Sequence, residues 1–333
     1  MSNYFIRFFL NLISFEVLKS LSSHKIILPL YHTVSDRRLP HIENLYKVKT
    51  IAEFRRDLDF FLRNYQSVDI KEIINSTKDG HKFSRPVFHL SFDDGLREVR
   101  TIIAPILLEQ GIHATFFINP SFLDNKSLFY RFKVSLIIDA LKRFDFSDSI
   151  LNKIKSCLSP IDGSSVQRQL LNLNYNDTDV LDEIGGLLNV SFEEYLEKES
   201  PFLSIDDVHW LISKGFTIGA HSLDHPKYSD IALEEQIRQT NCSLEYLINQ
   251  FDIENRLFAF PFSDNNVTLD YFNHKDLIQN YSFGTSGFKE DKIFSNFHRI
   301  PFEHYYLNAE SIIKICHLKF LIRKLNNSNF VVR

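Results

Sequence analysis

The chain has 333 residues, enough for one large domain or two smaller ones around a substantial core. Its 38 basic and 42 acidic side chains give a net charge of −4, which excludes the footprint of a nucleic-acid binder or a general polyanion binder. Cys157, Cys242 and Cys316 are odd in number, far apart and outside any C-x-x-C spacing, so they read as ordinary thiols and permit a reducing compartment.

Residues 1–24 begin with an apolar stretch, but only Phe8 to Phe15 is free of charge and no small-residue cleavage site follows. We therefore expect an amphipathic helix and no export signal, hence a cytoplasmic protein, with the helix packed on the body of the protein or lying in a membrane interface. Lys25 to Leu30 predicts a strand ending in Tyr31-His32-Thr33-Val34. A polar loop over 36–50 leads to a helix over 51–64, in which Phe54, Leu58, Phe61 and Leu62 recur at helical spacing.

Pro86 to Leu90 predicts a second strand, and it delivers Ser91-Phe92-Asp93-Asp94-Gly95. Two adjacent carboxylates at the end of a buried strand are costly, and they can serve one site only if the strand has ended and the chain turns at Gly95. An ordinary helix N-cap is the plainer alternative. A helix through Val99 to Leu107 and a strand over 113–118 continue the alternation expected of a parallel α/β sheet.

Residues 122–203 break that alternation with several helical patterns and no clear strand, and predict a helical insertion that is either a lid, an acceptor-recognition surface or an ornament. Ser204 and Asp207 mark a helix start. Phe216 to Ala220 then forms a strand emptying into His221-Ser222-Leu223-Asp224-His225. Two histidines four apart, completed by a carboxylate from elsewhere, can hold one metal ion and leave a position open for water. A helix over 231–251 follows, then strands over 256–262, 281–285 and 297–301, and a basic amphipathic helix within 309–333. Counting these with a weaker strand near Val68 gives seven or eight strands, a closed or nearly closed β/α barrel formed by 25–121 and 204–308.

The segments Ser91–Gly95 and His221–His225 resemble the first two signatures of the polysaccharide deacetylases of carbohydrate esterase family 4, the NodB-homology group. Tyr31-His32-Thr33-Val34 resembles the permuted branch, in which the histidine signature comes first. The resemblance implies a distorted (β/α)7 barrel that hydrolyses an N-acetyl group on an amino sugar of a cell-surface polysaccharide or its precursor. It implies that Asp94, His221 and His225 hold a divalent ion, zinc by expectation, that Asp93 is the base, and that the backbone N–H of Phe262 after Pro261 stabilises the oxyanion. His32 becomes the expected acid, with His298 as the competitor. Many family members carry an arginine where this chain has Ala259, and Arg299 is the expected replacement, pointing inward while His298 points out. Rival readings are a deformylase or deacetylase of a lipid-linked sugar, to which amphipathic ends and a peripheral membrane contact would suit, and a non-catalytic carbohydrate-binding barrel.

Overall fold

The computed structural model describes residues 14–158, 164–303 and 307–333. Residues 4–13 of the expected N-terminal helix lie outside them.

The first two predicted strands are each split by one residue. β1 (Ile26–Ile27) and β2 (Pro29–Tyr31) flank Leu28; β3 (Gln66–Ser67) follows, and β4 (Val87–Phe88) and β5 (Leu90–Phe92) flank His89. The lower halves leave the barrel and form a small parallel sheet in the order β1-β4-β3, where β3 is the weak strand expected near Val68. His89 is held at this branch point by Val68 O and Thr115 Oγ1, both at 2.8 Å. Pro29, which has no N–H to give, sits at the first residue of β2, where a sheet tolerates it.

The upper halves join β6 (Ala114–Ile118), β7 (Thr217–Ala220), β8 (Leu257–Ala259), β9 (Tyr281–Gly284), β10 (Asn296–His298) and β11 (Ile300–Pro301). The order is β10-β9-β8-β7-β6-β5-β2-β11, with every pair parallel. β10 and β11 are one chain segment interrupted at Arg299, whose N–H bonds Gly284 O at 2.9 Å while that of Ile300 bonds Leu28 O at 2.8 Å. That segment joins the two edges of the sheet, so the strands make a nearly closed, distorted (β/α) barrel. Arg299 lies at the seam.

Alternation along the strands sorts the core into two layers. Outward residues such as Tyr31, Phe92, Phe116 and Phe258 pack under the helices, and much of the phenylalanine is spent in this ring-on-ring layer: Phe92 to Phe116 is 5.4 Å and Phe116 to Phe216 is 5.2 Å. Inward residues Leu28, Phe117, Leu257, Ala259 and Phe283 fill the barrel. Gly219 has to be glycine here, because a Cβ would stand 2.6 Å from the Phe117 ring. The helix Ile51–Asn64 opens on a Thr50–Glu53 capping box, and Ile205–Ser213 on the Ser204–Asp207 box expected from sequence.

Five described helices, Tyr130–Arg143, Asp148–Cys157, Val166–Asn172, Thr178–Leu187 and Phe192–Glu199, occupy the expected insertion. They share their own apolar cluster, centred on Phe132, Ile137, Leu181 and Ile184, and Leu39 and Ile42 from the loop after β2 are packed into it. The terminal helices Phe15–Ser22 and Ala309–Leu325 pack on each other and on Ile51–Asn64, with Ser22 Oγ 2.6 Å from His317 Nδ1 and the Phe15 ring 5.2 Å from Phe60. Among the described residues no helix is long and apolar enough to cross a membrane.

Candidate active site

All the motif residues emerge at the carboxyl ends of the strands. β5 ends at Phe92, and Asp94 and Gly95 then take left-handed backbone angles, φ 73° and 63°. This turn brings both carboxylates to one side. Gly95 is required twice, by its φ and because a Cβ would meet Ile118 Cγ2 at 2.7 Å. Neither aspartate caps the following helix. Asp93 accepts a bidentate pair from Arg299, Nη1 to Oδ1 at 2.6 Å and Nη2 to Oδ2 at 2.9 Å. Arg299 is fully buried, bonds Ser91 Oγ at 3.2 Å and lies over the Phe117 ring.

His221 and His225 follow β7 in a loop and not on a helical turn. Ser222 and His225 both have φ 65°; Ser222 Oγ accepts from His225 N at 2.9 Å, and Asn119 Nδ2 donates to the carbonyls of His221 and Ser222. His221 Nδ1 faces Ala259 O at 2.8 Å, which makes Nδ1 the protonated nitrogen and leaves the lone pair of Nε2 free to accept or to ligate. Burial lowers the His221 pKa to about 4, so its ring is neutral near pH 7.

Asp94 Oδ1 lies 3.2 Å from His225 Nε2 and 3.5 Å from His221 Nε2, is buried, and accepts no hydrogen bond. An orphaned buried carboxylate oxygen is costly unless something else meets it. Ligand atoms around a tetrahedral zinc ion with bonds of about 2.1 Å stand about 3.4 Å apart. Asp94, His221 and His225 therefore fit a divalent ion in both chemistry and spacing. Burial raises the Asp94 pKa, but the nearby histidines outweigh it and hold the carboxyl well below its usual range.

His32, at the end of β2, faces the same cavity. Its Nδ1 lies 2.5 Å from Glu303 Oε2, while Glu303 Oε1 accepts from the backbone N–H groups of His32 and Thr33 at 2.8 and 3.0 Å. Burial works against the imidazolium, but the Glu303 charge and hydrogen bond, helped by Asp94 and Asp93, outweigh it and raise the pKa to about 9. Glu303 carried no motif and was not anticipated; its one sequence cue is its place two residues beyond the last strand.

Pro261 and Phe262 follow β8. Phe262 has φ 60°, its ring is 4.8 Å from that of His225, and its N–H donates to no acceptor among the described residues. A cavity of about 240 Å³ is lined by His32, Tyr46, Asp93, Asp94, Phe129, Arg131, His225, Phe262 and Thr285.

His298 is not among them. It turns away from Arg299 into a second acid cluster, with Nε2 2.9 Å from Asp291 Oδ2 and Nδ1 3.8 Å from Asp264 Oδ2. Arg333 Nη2 donates to both aspartates, at 2.7 Å to Asp264, and Asn296 Nδ2 to both at 3.0 Å. These cations and donors hold both carboxyls below their usual range against burial.

The barrel carries paired aspartates after one strand and paired histidines after another, and part of it matches a known family. Residues 193–277, which include His221–His225 and Pro261-Phe262, match the family model for polysaccharide deacetylase. No curated protein matches the chain by sequence. Among solved structures, the fold is similar to the Streptococcus pyogenes deacetylase PplD in complex with acetate, with TM-score 0.55 and 14% identity over 87% of this chain and 97% of that one. It is also similar to IcaB from Ammonifex degensii, with TM-score 0.53 and 13% identity over 88% and 96%. A de-N-acetylase from Aggregatibacter actinomycetemcomitans gives TM-score 0.53 and 14% identity over 87% and 99%. The resemblance read from the motifs is thus met by a family model over part of the chain and by the fold over most of it.

Proposed function

We propose that this protein hydrolyses an N-acetyl group on an amino sugar of a glycan. The observation that carries the reading is a cavity lined by an arginine-held carboxylate and a histidine charged above neutral pH, with Asp94 and His225 of the three-ligand cluster in its wall and His221 buried behind them. Asp94, His221 and His225 would hold a divalent ion, and two imidazoles with one carboxylate suit zinc. Such an ion supplies Lewis acidity toward the acetamide carbonyl and makes water a better nucleophile near neutral pH.

The chain's own groups supply the proton transfers. Burial would keep Asp93 protonated, but Arg299 outweighs this and holds the carboxyl below its usual range, so it is ionised and fixed in place as the base. Asp93 takes a proton from water as the water oxygen bonds the carbonyl carbon. His32, protonated through Glu303, gives a proton to the nitrogen as the C–N bond breaks, so that a free amine and acetate leave. Without that proton the nitrogen would depart as an amide anion, a very poor leaving group. The unused N–H of Phe262 is the donor for the developing oxyanion.

The non-catalytic reading rested on Ala259 in place of an arginine. Arg299 meets Asp93 from the seam of the barrel, which removes that support. The test is acetate release from chitotetraose by protein loaded with zinc. Release that disappears in Asp93→Asn sustains the reading; wild type that neither takes up zinc nor releases acetate from any N-acetylated glycan overturns it.

A further inference from the structure

We infer that Arg131 recognises an acidic substituent, carboxylate or phosphate, on the glycan whose acetamide enters the cavity; the inference rests on the deacetylase reading of that cavity. Arg131 is the second residue of the helix Tyr130–Arg143, the first of the insertion, and it lines the same cavity as Asp93, Asp94 and His225. Among the described residues the other cations of the site have their counter-charges: Arg299 has Asp93 and His32 has Glu303. Arg131 has none among the described residues. Its one hydrogen bond there is Nη1 to Leu171 O at 2.6 Å, which leaves most of the five N–H donors of a guanidinium without a protein acceptor.

A partly buried cation without a counter-charge is costly, and burial does lower the Arg131 pKa. At the wall of a ligand cavity that cost is offset when the ligand carries the missing charge. Asp94 cannot be that partner if its free oxygen serves an ion, and a divalent ion would add to the positive surplus. A planar guanidinium also matches a carboxylate or phosphate in bidentate fashion, which an acetamide or hydroxyl cannot reproduce.

The neighbouring surface extends the same chemistry. Leu45 and Tyr46 line both the catalytic cavity and an adjoining groove, whose charged residues are Arg37, Arg38, Lys47 and Glu43. Arg38 is tied to Glu43 and Asp139, and Lys47 to Glu53. Arg37 forms no salt bridge among the described residues. The net charge of −4 is a sum over the whole chain and does not bear on two cations placed along one path.

The experiment compares kcat/KM on three tetrameric probes: neutral chitotetraose, an oligomer alternating glucuronate with N-acetylglucosamine, and an N-acetylglucosamine oligomer joined by phosphodiesters. Wild type is expected to prefer one acidic probe by roughly 10- to 100-fold, chiefly through KM, the size of a hydrogen bond to a charged group. Arg131→Gln should erase the preference and Arg131→Lys should keep part of it; the probe that shows the effect identifies carboxylate or phosphate. Binding of the same probes to Asp93→Asn, measured by calorimetry with and without Arg131→Gln, separates recognition from turnover. Arg131-dependent binding by a wild type that takes up no zinc and releases acetate from no probe would sink the deacetylase reading and leave this one standing. Wild type that treats all three alike, or an Arg131→Gln protein that loses neutral and acidic probes equally with no rescue by lysine, overturns the inference.

Discussion

Two acid–histidine clusters sit near the ends of the barrel strands, built from the same residue types and put to opposite use. In one, Asp264, Asp291 and His298 are saturated: Arg333 and Asn296 each bridge the two aspartates, and His298 takes up the remaining position. In the other, Arg299 satisfies Asp93 alone and leaves Asp94, His221 and His225 with free lone pairs turned toward one another. Residue type therefore does not separate a structural network from a ligand site. The presence or absence of a bridging cation does.

The sharpest way to break this comparison is to remove function from the open cluster one role at a time. Asp93→Asn should lower kcat by about 10³-fold or more while the ion content of the purified protein stays near that of wild type, whereas His221→Ala should lose both. Elemental analysis beside an acetate assay reads the two effects, and an active Asp93→Asn enzyme would refute the base assignment.

Arg299→Ala should be the costliest change for stability, about 3–5 kcal/mol by denaturant unfolding, because it leaves the Asp93 carboxylate buried without its partner. His32 and Glu303 form a third pairing, saturated like the closed cluster yet facing the cavity. His32 donates only when protonated, so activity should fall as pH rises through about 9. In Glu303→Gln the raising influence is lost, and the alkaline limb of the pH–rate profile should move down toward or below the ordinary imidazole range; a limb that stays in place would remove His32 from the acid role.

Arg333→Ala is a smaller perturbation, about 1–2 kcal/mol, since Asn296 and His298 still reach Asp291. It should also convert the closed cluster into an open one, read as a second, weaker equivalent of zinc in a titration. His298→Ala should change acetate release least, by less than about threefold, the effect expected of a residue outside the proton-transfer path.

The parts of this molecule that follow from local chemistry were legible in the sequence. Apolar runs ending abruptly in charge located β5 and β7, and the glycine after two aspartates announced the turn that gathers them. What was not legible depends on closure. Arg299 itself was expected to point inward, but the seam that buries it against Asp93, where β10 and β11 bridge the two edges of the sheet, is encoded by no spacing in the chain. Glu303 and Arg131 are single charged residues without a motif, and only the assembled cavity shows that one is matched and the other is not. The splits at Leu28 and His89 arise from a branching of the sheet, which a hydrophobic run cannot reveal. The Thr50–Glu53 capping box, by contrast, stands in the sequence as T-x-x-E and was there to be read.

Asp224, between the paired histidines, accepts one hydrogen bond from Tyr175 of the insertion at 2.6 Å and another from Gln239 of the helix Leu233–Phe251 at 2.7 Å. The loop that carries His221 and His225 is thereby shared between an element of the barrel and an element above it. If the three-ligand site holds an ion, docking of the insertion and its occupancy would be linked equilibria: whatever factor the ion adds to docking, docking would return to ion affinity. A movement that lifted Tyr175 away would be felt as a change in metal retention, and loss of the ion as faster amide exchange around residues 175–187.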